Sequence, residues 1–163
     1  GAIDGMAERC ITVNGFSKAY SMTGWRLGYF AAPEELIAQT GKLHSHSVSC
    51  ATNFVQHAGV EALENTDDAV DEMVAAFSER RDMLVDLFAE HGVDVPVGDG
   101  AFYMMLPVDD DDQLWCERAI EGAQVATVPG SAFGANGYAR ISYAASEERL
   151  REAVDRLAAA GLL

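Results

Sequence analysis

Lys18 and Arg26 stand in the segment Gly15-Phe16-Ser17-Lys18-Ala19-Tyr20-Ser21-Met22-Thr23-Gly24-Trp25-Arg26-Leu27-Gly28, which is otherwise built of small, hydroxyl-bearing, apolar and aromatic residues. A lysine amine is nucleophilic only when neutral, and desolvation among apolar neighbours favours the neutral form. Lys18 follows an apolar β-prone run and is expected to be desolvated in this way. An arginine on the return strand presents a planar fork that can grip a phosphate through two hydrogen bonds. An amine and a phosphate clamp so spaced could address opposite ends of one small cofactor. A lone lysine is most often a solvated surface charge, and only its neighbours set Lys18 apart.

The other chemistry-bearing residues form weaker patterns. His44 and His46 are two apart, a spacing that points them to different sides of a helix, so no metal is expected there. His57 and His91 read as ordinary helix residues. Cys10, Cys50 and Cys116 are odd in number and widely spaced, which supports neither a disulfide framework nor a zinc site. The acidic run Asp109 to Asp112 lacks the glycine and terminal glutamate of a calcium loop and reads as a solvated loop. Gly130, Gly134 and Gly137 have no lysine after them, so they read as tight turns and not as a phosphate cradle.

The elements that must position these residues alternate between strand and helix. Short strands are expected at Cys10 to Asn14 and Trp25 to Ala31, separated by the loop that carries Lys18. After Pro33, Glu34 and Glu35 open a helix that runs to near Leu43, and another is expected from Asn53 to Leu63, closed by Asn65. Val70, Met73, Val74, Phe77, Leu84, Leu87 and Phe88 recur at helical spacing behind Asp67 and Asp68, which predicts a long amphipathic helix stopped at Gly92. Ala101 to Val108, Val125 to Val128 and Tyr138 to Tyr143 read as strands, and Gln113 to Glu121 and Glu147 to Ala160 as helices. The chain is therefore of the α/β class.

At 163 residues, 49% apolar and 23% charged, the composition is that of a soluble globular protein with a packed core. No apolar stretch approaches the roughly 20 residues of a membrane span, and GAIDGMAERC at the start resembles neither a signal peptide nor a lipidation motif, so a cytoplasmic location is expected. The net charge of −15 would repel nucleic acid and anionic membranes, so neither is an expected partner. An acidic surplus with only two lysines, Lys18 and Lys42, suits solubility in concentrated salt, where screening relieves self-repulsion.

The segment Gly15 to Gly28 resembles the lysine signature of class I aminotransferases, the family of the aspartate aminotransferase fold. That signature is Gly or Ser, an apolar residue, a small residue and Lys, then two free positions, a small and an apolar residue, and a final Gly-x-Arg-apolar-Gly; every position is matched. Downstream, Gly100-Ala101-Phe102-Tyr103 is similar to the family's GAFY strand start, and Val128-Pro129-Gly130 with Phe133-Gly134 to the loop before its carboxylate-binding strand. The resemblance implies that Lys18 forms the Schiff base with pyridoxal phosphate and shuttles the substrate α-proton, that Arg26 binds the cofactor phosphate, and that Arg140 in YARISYA holds the substrate α-carboxylate. Read without the resemblance, Arg140 would be a surface ion-pair partner. Gly15 replaces a serine that contacts the phosphate in many relatives, which implies a weaker or differently supplemented grip.

The resemblance implies residues 1–66 as the tail of the large cofactor-binding domain and residues 67–163 as an α/β small C-terminal domain. The family's glycine-rich phosphate loop, the aspartate for the pyridine nitrogen, and the asparagine and tyrosine for the ring hydroxyl lie upstream of the lysine, and the 17 residues before Lys18 contain none of them. The chain is thus expected to cover about the second half of the family and to be inactive alone. The complete subunit is expected to be a homodimeric aminotransferase acting on an amino acid and a 2-oxo acid, with Ser47 to Ser49 and Asn53 near the partner subunit's site. Another pyridoxal-phosphate reaction on the same fold, such as β-elimination, and a non-catalytic ligand-binding or assembly module are the alternatives.

Overall fold

The computed structural model describes residues 2–108 and 111–163, which divide into two compact units, residues 1–72 and 73–163. The division falls inside a helix, six residues beyond the expected boundary between 66 and 67. Among the described residues no helix is long and apolar enough to cross a membrane.

The first unit holds a two-stranded antiparallel sheet and two helices. After a 3-10 turn at Ala7–Arg9, which the sequence did not signal, β1 (Thr12–Gly15) pairs with β2 (Gly28–Ala31) in the register Thr12 opposite Ala31 and Gly15 opposite Gly28. The second strand begins three residues later than expected, because Thr23–Trp25 forms a 3-10 turn and Arg26 takes a left-handed backbone, which no strand can continue. Helix α1 (Glu34–Val48) runs past Leu43 through a polar segment. The hydroxyls of Thr40 and Ser47 donate to the carbonyls of Leu36 and Leu43 at 2.8 and 2.7 Å, so this stretch turns its side chains onto the helix instead of breaking it. Helix α2 (Asn53–Asn65) buries Val55, Gly59 and Ala62. The core of this unit is small: Phe16, Met22 and Ala62, with Tyr20, Leu27 and Ala58 against them. Both strands and all of α1 lack a buried residue.

The second unit encloses the larger core. Helix α3 (Asp67–Glu90) begins with two acids where the helix dipole favours them and stops at Gly92, whose φ of 79° suits glycine. His91 lies just past its end, not within it. The sheet has the order β3-β5-β4, all antiparallel, with β3 at Tyr103–Pro107, β4 at Val128–Pro129 and β5 at Tyr138–Ser142. Strand β4 is displaced from the expected Val125 to Val128, and Pro129 is tolerated in it because an edge strand has one side that pairs with nothing. Strand alternation sends Met104, Leu106 and Ala139 into the core with Leu84 and Phe88 of α3. Helix α4 (Asp112–Ala123) adds Trp115, Cys116, Ala119 and Ala123, and α5 (Glu147–Ala159) adds Leu150, Val154 and Leu157 at helical spacing.

The acidic run before α4 is not a solvated loop throughout. Asp109 and Asp110 lie outside the described residues, but Asp111 caps α4 by accepting from the backbone N–H of Gln113 and Leu114, and Asp112 is buried in its first turn. Burial also pushes the Cys116 thiol above its ordinary value. His44 and His46 lie exposed on α1, and the described residues hold no cluster of metal-ligating side chains.

Two glycines of the second unit should respond oppositely to alanine. A Cβ on Gly130 would lie 2.6 Å from the carbonyl oxygen of Tyr138 and closer still to that of Ala135, whereas one on Gly122, inside α4, would meet only the methyl of Ala160 at 4.0 Å. Equilibrium urea unfolding should therefore show Gly130→Ala destabilised by about 1–3 kcal/mol and Gly122→Ala stabilised by roughly 0.5–1 kcal/mol. Equal effects of the two substitutions would contradict this packing.

Candidate active site

The loop from Phe16 to Leu27 is pinned at both ends. Gly15 faces Gly28 across the β1/β2 pair, and the Phe16 N–H donates to the Leu27 carbonyl at 3.2 Å, continuing the ladder one step. A Cβ on Gly28 would lie 3.1 Å from the carbonyl oxygen of Asn14, tighter than ordinary packing. The Phe16 carbonyl accepts from the N–H of Tyr20 and of Met22 at 3.3 and 3.4 Å, and the Lys18 carbonyl accepts from Ser21 N–H at 3.1 Å, so the loop folds back on its own backbone.

Phe16 and Met22 bury their side chains beneath the loop, and Gly59 lets α2 approach, since a Cβ there would lie 2.5 Å from a methyl of Leu27. Ser21 and Arg26 have φ of 53° and 55°, left-handed values that cost a residue with a side chain about 1–3 kcal/mol each. Burying Phe16 and Met22 contributes about 1.5–3 kcal/mol apiece, enough to offset that strain.

Lys18 sits within the turn after β1 and is exposed, so the desolvation expected from its neighbours is not provided by the first unit. The aromatic and apolar side chains around it are spent beneath the loop: Phe16 packs on Tyr20 and Tyr29, with ring centroids 5.4 and 5.5 Å away. Arg26 lies before β2 and not on it. Its Nη1 donates to the Thr23 carbonyl at 3.0 Å, and no carboxylate is paired with it among the described residues. It lines a shallow groove of about 600 Å³ together with Trp25, Cys50, Thr52 and Phe54.

Charge is distributed unevenly along the chain. Positions 1–60 hold four acidic and four basic residues, so the entire surplus of −15 falls on positions 61–163. From Arg9 to Pro33 there is no acid at all. A dianionic group approaching Lys18 and Arg26 meets no acid on the loop or on its flanking strands.

Arg140 lies in the second unit, on β5 opposite Met105 of β3 and Val128 of β4. Alternation puts it on the sheet face opposite the buried Ala139, and puts Tyr103, two residues from Met105, on that same face. The guanidinium carbon stands 4.3 Å from the Tyr103 ring centre and 4.0 Å from that of Phe133, the last residue of the 3-10 turn Gly130–Phe133. Each such contact contributes about 0.5–2 kcal/mol. No carboxylate is paired with Arg140 among the described residues. Gly134 and Gly137 carry φ of 76° and 77°, so the glycines of this segment make turns.

Lys18 and Arg26 thus share one closed loop, while Arg140 is built on a different scaffold. Tyr103 and Phe133 were legible as motif residues but not as covers of Arg140, although the two-residue period of β3 was available to find Tyr103. Asp112 was read only as part of a solvated acidic run. It precedes Trp115, Cys116, Ala119 and Ala123 by three, four, seven and eleven residues, a spacing that places it on the buried face of α4.

Comparison with known proteins bears on the whole chain. Residues 2–157 match the family model of aminotransferase class I and II. The chain is 43% identical to an aspartate aminotransferase of Thermotoga maritima over 92% of its own length and 39% of the relative's. It is 48% identical to a probable aspartate/prephenate aminotransferase of Aquifex aeolicus over 90% of its length and 39% of the relative's. It superposes on the crystal structure of an aromatic aminotransferase from Pyrococcus horikoshii with a TM-score of 0.90 at 40% identity, covering 99% of this chain and 46% of that one. The chain accordingly spans about two fifths of the length of the curated relatives it matches. On the strength of a family match that leaves out only a few residues at either end, the chain belongs to the class I and II aminotransferases.

Proposed function

We propose that the complete subunit moves an amino group between an amino acid and a 2-oxo acid, using pyridoxal phosphate held by Lys18 and Arg26, with Arg140 binding the substrate α-carboxylate. Class I aminotransferases of the aspartate aminotransferase type use this cofactor. The observation that carries the reading is the matched loop Gly15 to Gly28, closed by the β1/β2 pair and free of acids, with the two cations on it. We further assign residues 1–66 to the large domain and 67–163 to the small domain, and take the working form to be a cytoplasmic homodimer adapted to salt.

The donors present fit two of the three ends of the cofactor. An exposed primary amine suits its aldehyde, and a guanidinium with no carboxylate partner among the described residues suits its phosphate. The ring nitrogen needs an acidic partner, and the loop supplies none. When bound, pyridoxal phosphate supplies an electron sink for the pair left by the departing α-proton. Lys18 would hold the cofactor through its amine, and that amine, when free, would take the substrate α-proton and return it. Arg26 anchors the phosphate so that the ring does not drift. Arg140, held between β5 and the contacts of its guanidinium with Tyr103 and Phe133, would grip the carboxylate and so orient the α-hydrogen for transfer.

In the complete protein, borohydride reduction followed by peptide mapping should place the cofactor on Lys18. Lys18→Ala should lower turnover by about 10²–10⁴-fold or more. A label at Lys42 instead would contradict the assignment.

The two arginines should separate in a binding assay. Arg140→Ala loses charge-assisted hydrogen bonds worth about 1.5–3 kcal/mol each, so the KM for the amino acid should rise by at least about tenfold. Cofactor retention should change little. Arg26→Ala should instead release cofactor on dialysis. Equal cofactor loss from both variants would refute this division of roles.

A further inference from the structure

We propose that Asp112 is a positioning residue for Arg140, acting through the turn that carries Phe133. This rests on Arg140 as the carboxylate-binding residue and adds to it the group that fixes its plane.

Asp112 is 6% exposed, the one buried charged side chain among the described residues. Its Oδ2 accepts from the backbone N–H of Ser131 at 2.6 Å, a short bond to an ionisable acceptor. Burying a carboxylate costs free energy unless it is satisfied, and here the Ser131 N–H supplies a partner. What distinguishes this tie is where it ends. Ser131 is the second residue of the turn Gly130–Phe133, and Phe133 is its last. The turn is closed by Gly134 N–H donating to the Ser131 carbonyl at 3.1 Å and Ala135 N–H donating to that of Gly130 at 2.9 Å. Gly130 is packed too tightly for a side chain. The four residues therefore move as one piece, and rotation of the Ser131 peptide carries the Phe133 ring with it.

The two rings on Arg140 are held differently. Tyr103 belongs to β3 and is fixed by the sheet pairing. Phe133 is itself exposed and belongs to the turn, and it holds its place 4.0 Å from the guanidinium because Asp112 anchors that turn to α4. With one ring at 4.3 Å and another at 4.0 Å, the Arg140 guanidinium is restricted in the orientations it can take. Without the tether the Phe133 contact is lost, and the guanidinium gains orientations that do not grip a carboxylate with two parallel bonds.

The test uses the complete cofactor-loaded protein and the ligands 2-methyl-L-aspartate and 2-methyl-L-phenylalanine, which lack an α-hydrogen and bind without turning over. The one that wild type binds more tightly is followed by calorimetry, with KM and kcat for the corresponding amino acid. Asp112→Ala should weaken analogue binding and raise KM by about tenfold, with kcat and cofactor retention within about twofold. Asp112→Asn, which keeps an acceptor oxygen, should restore most of the affinity. In an Arg140→Ala background, Asp112→Ala should add little further loss, whereas a merely structural role would give additive losses. If Asp112→Ala does not fold, Phe133→Leu removes the ring and leaves the tether, and it should weaken binding by about threefold. Unchanged affinity in the variant tested, with Arg140→Ala weakened, overturns this inference alone. Unchanged affinity in Arg140→Ala overturns the carboxylate role of Arg140 and this inference with it.

Discussion

The pairing of Gly15 with Gly28 is the constraint on which the proposed cofactor loop depends. It fixes the two ends of residues 16–27 side by side, so an amine and a guanidinium eight positions apart in sequence become parts of one closed structure. Inside that frame the loop has little freedom. Phe16 and Met22 are pulled beneath it, and Ser21 and Arg26 are driven into left-handed backbone on either side of a 3-10 turn. Strain of this kind persists where the surroundings over-determine it, and here buried aromatic and thioether surface does so.

A second constraint is electrostatic. A surplus of 15 negative charges would oppose a phosphate anywhere it was spread evenly, but the surplus is confined to positions 61–163. The loop and its flanking strands carry cations only. The acidic surplus and the acid-free loop thereby fall in different parts of one sequence. Arg140, although it belongs to the acidic part, has no carboxylate partner among the described residues and is flanked by aromatic rings instead. Rings attract its charge without occupying its hydrogen-bonding edge.

Elements with strong periodicity or caps were legible in the sequence. Helix α3 could be read from its apolar spacing between Asp67 and Gly92, and β5 from its alternation, which also put Arg140 on a strand. Elements decided by local backbone chemistry were not. The polar end of α1 is sustained by hydroxyls bonding to their own helix, and the start of β2 is delayed by one left-handed arginine. The acidic run before α4 shows the limit of reading charge as solvation, because a single register step separates the exposed capping Asp111 from the buried Asp112. Phe133 reaches Arg140 through a turn whose shape no periodicity encodes.

The central claim is that this loop holds the cofactor by an amine at one end and a guanidinium at the other. The most direct measurement is a crystal structure of the complete protein grown with pyridoxal phosphate. Continuous density from Lys18 Nζ to the cofactor, with Arg26 within hydrogen-bonding distance of its phosphate, is the expected result. Cofactor bonded to another lysine, or a phosphate contacted by neither Arg26 nor its loop, would contradict it.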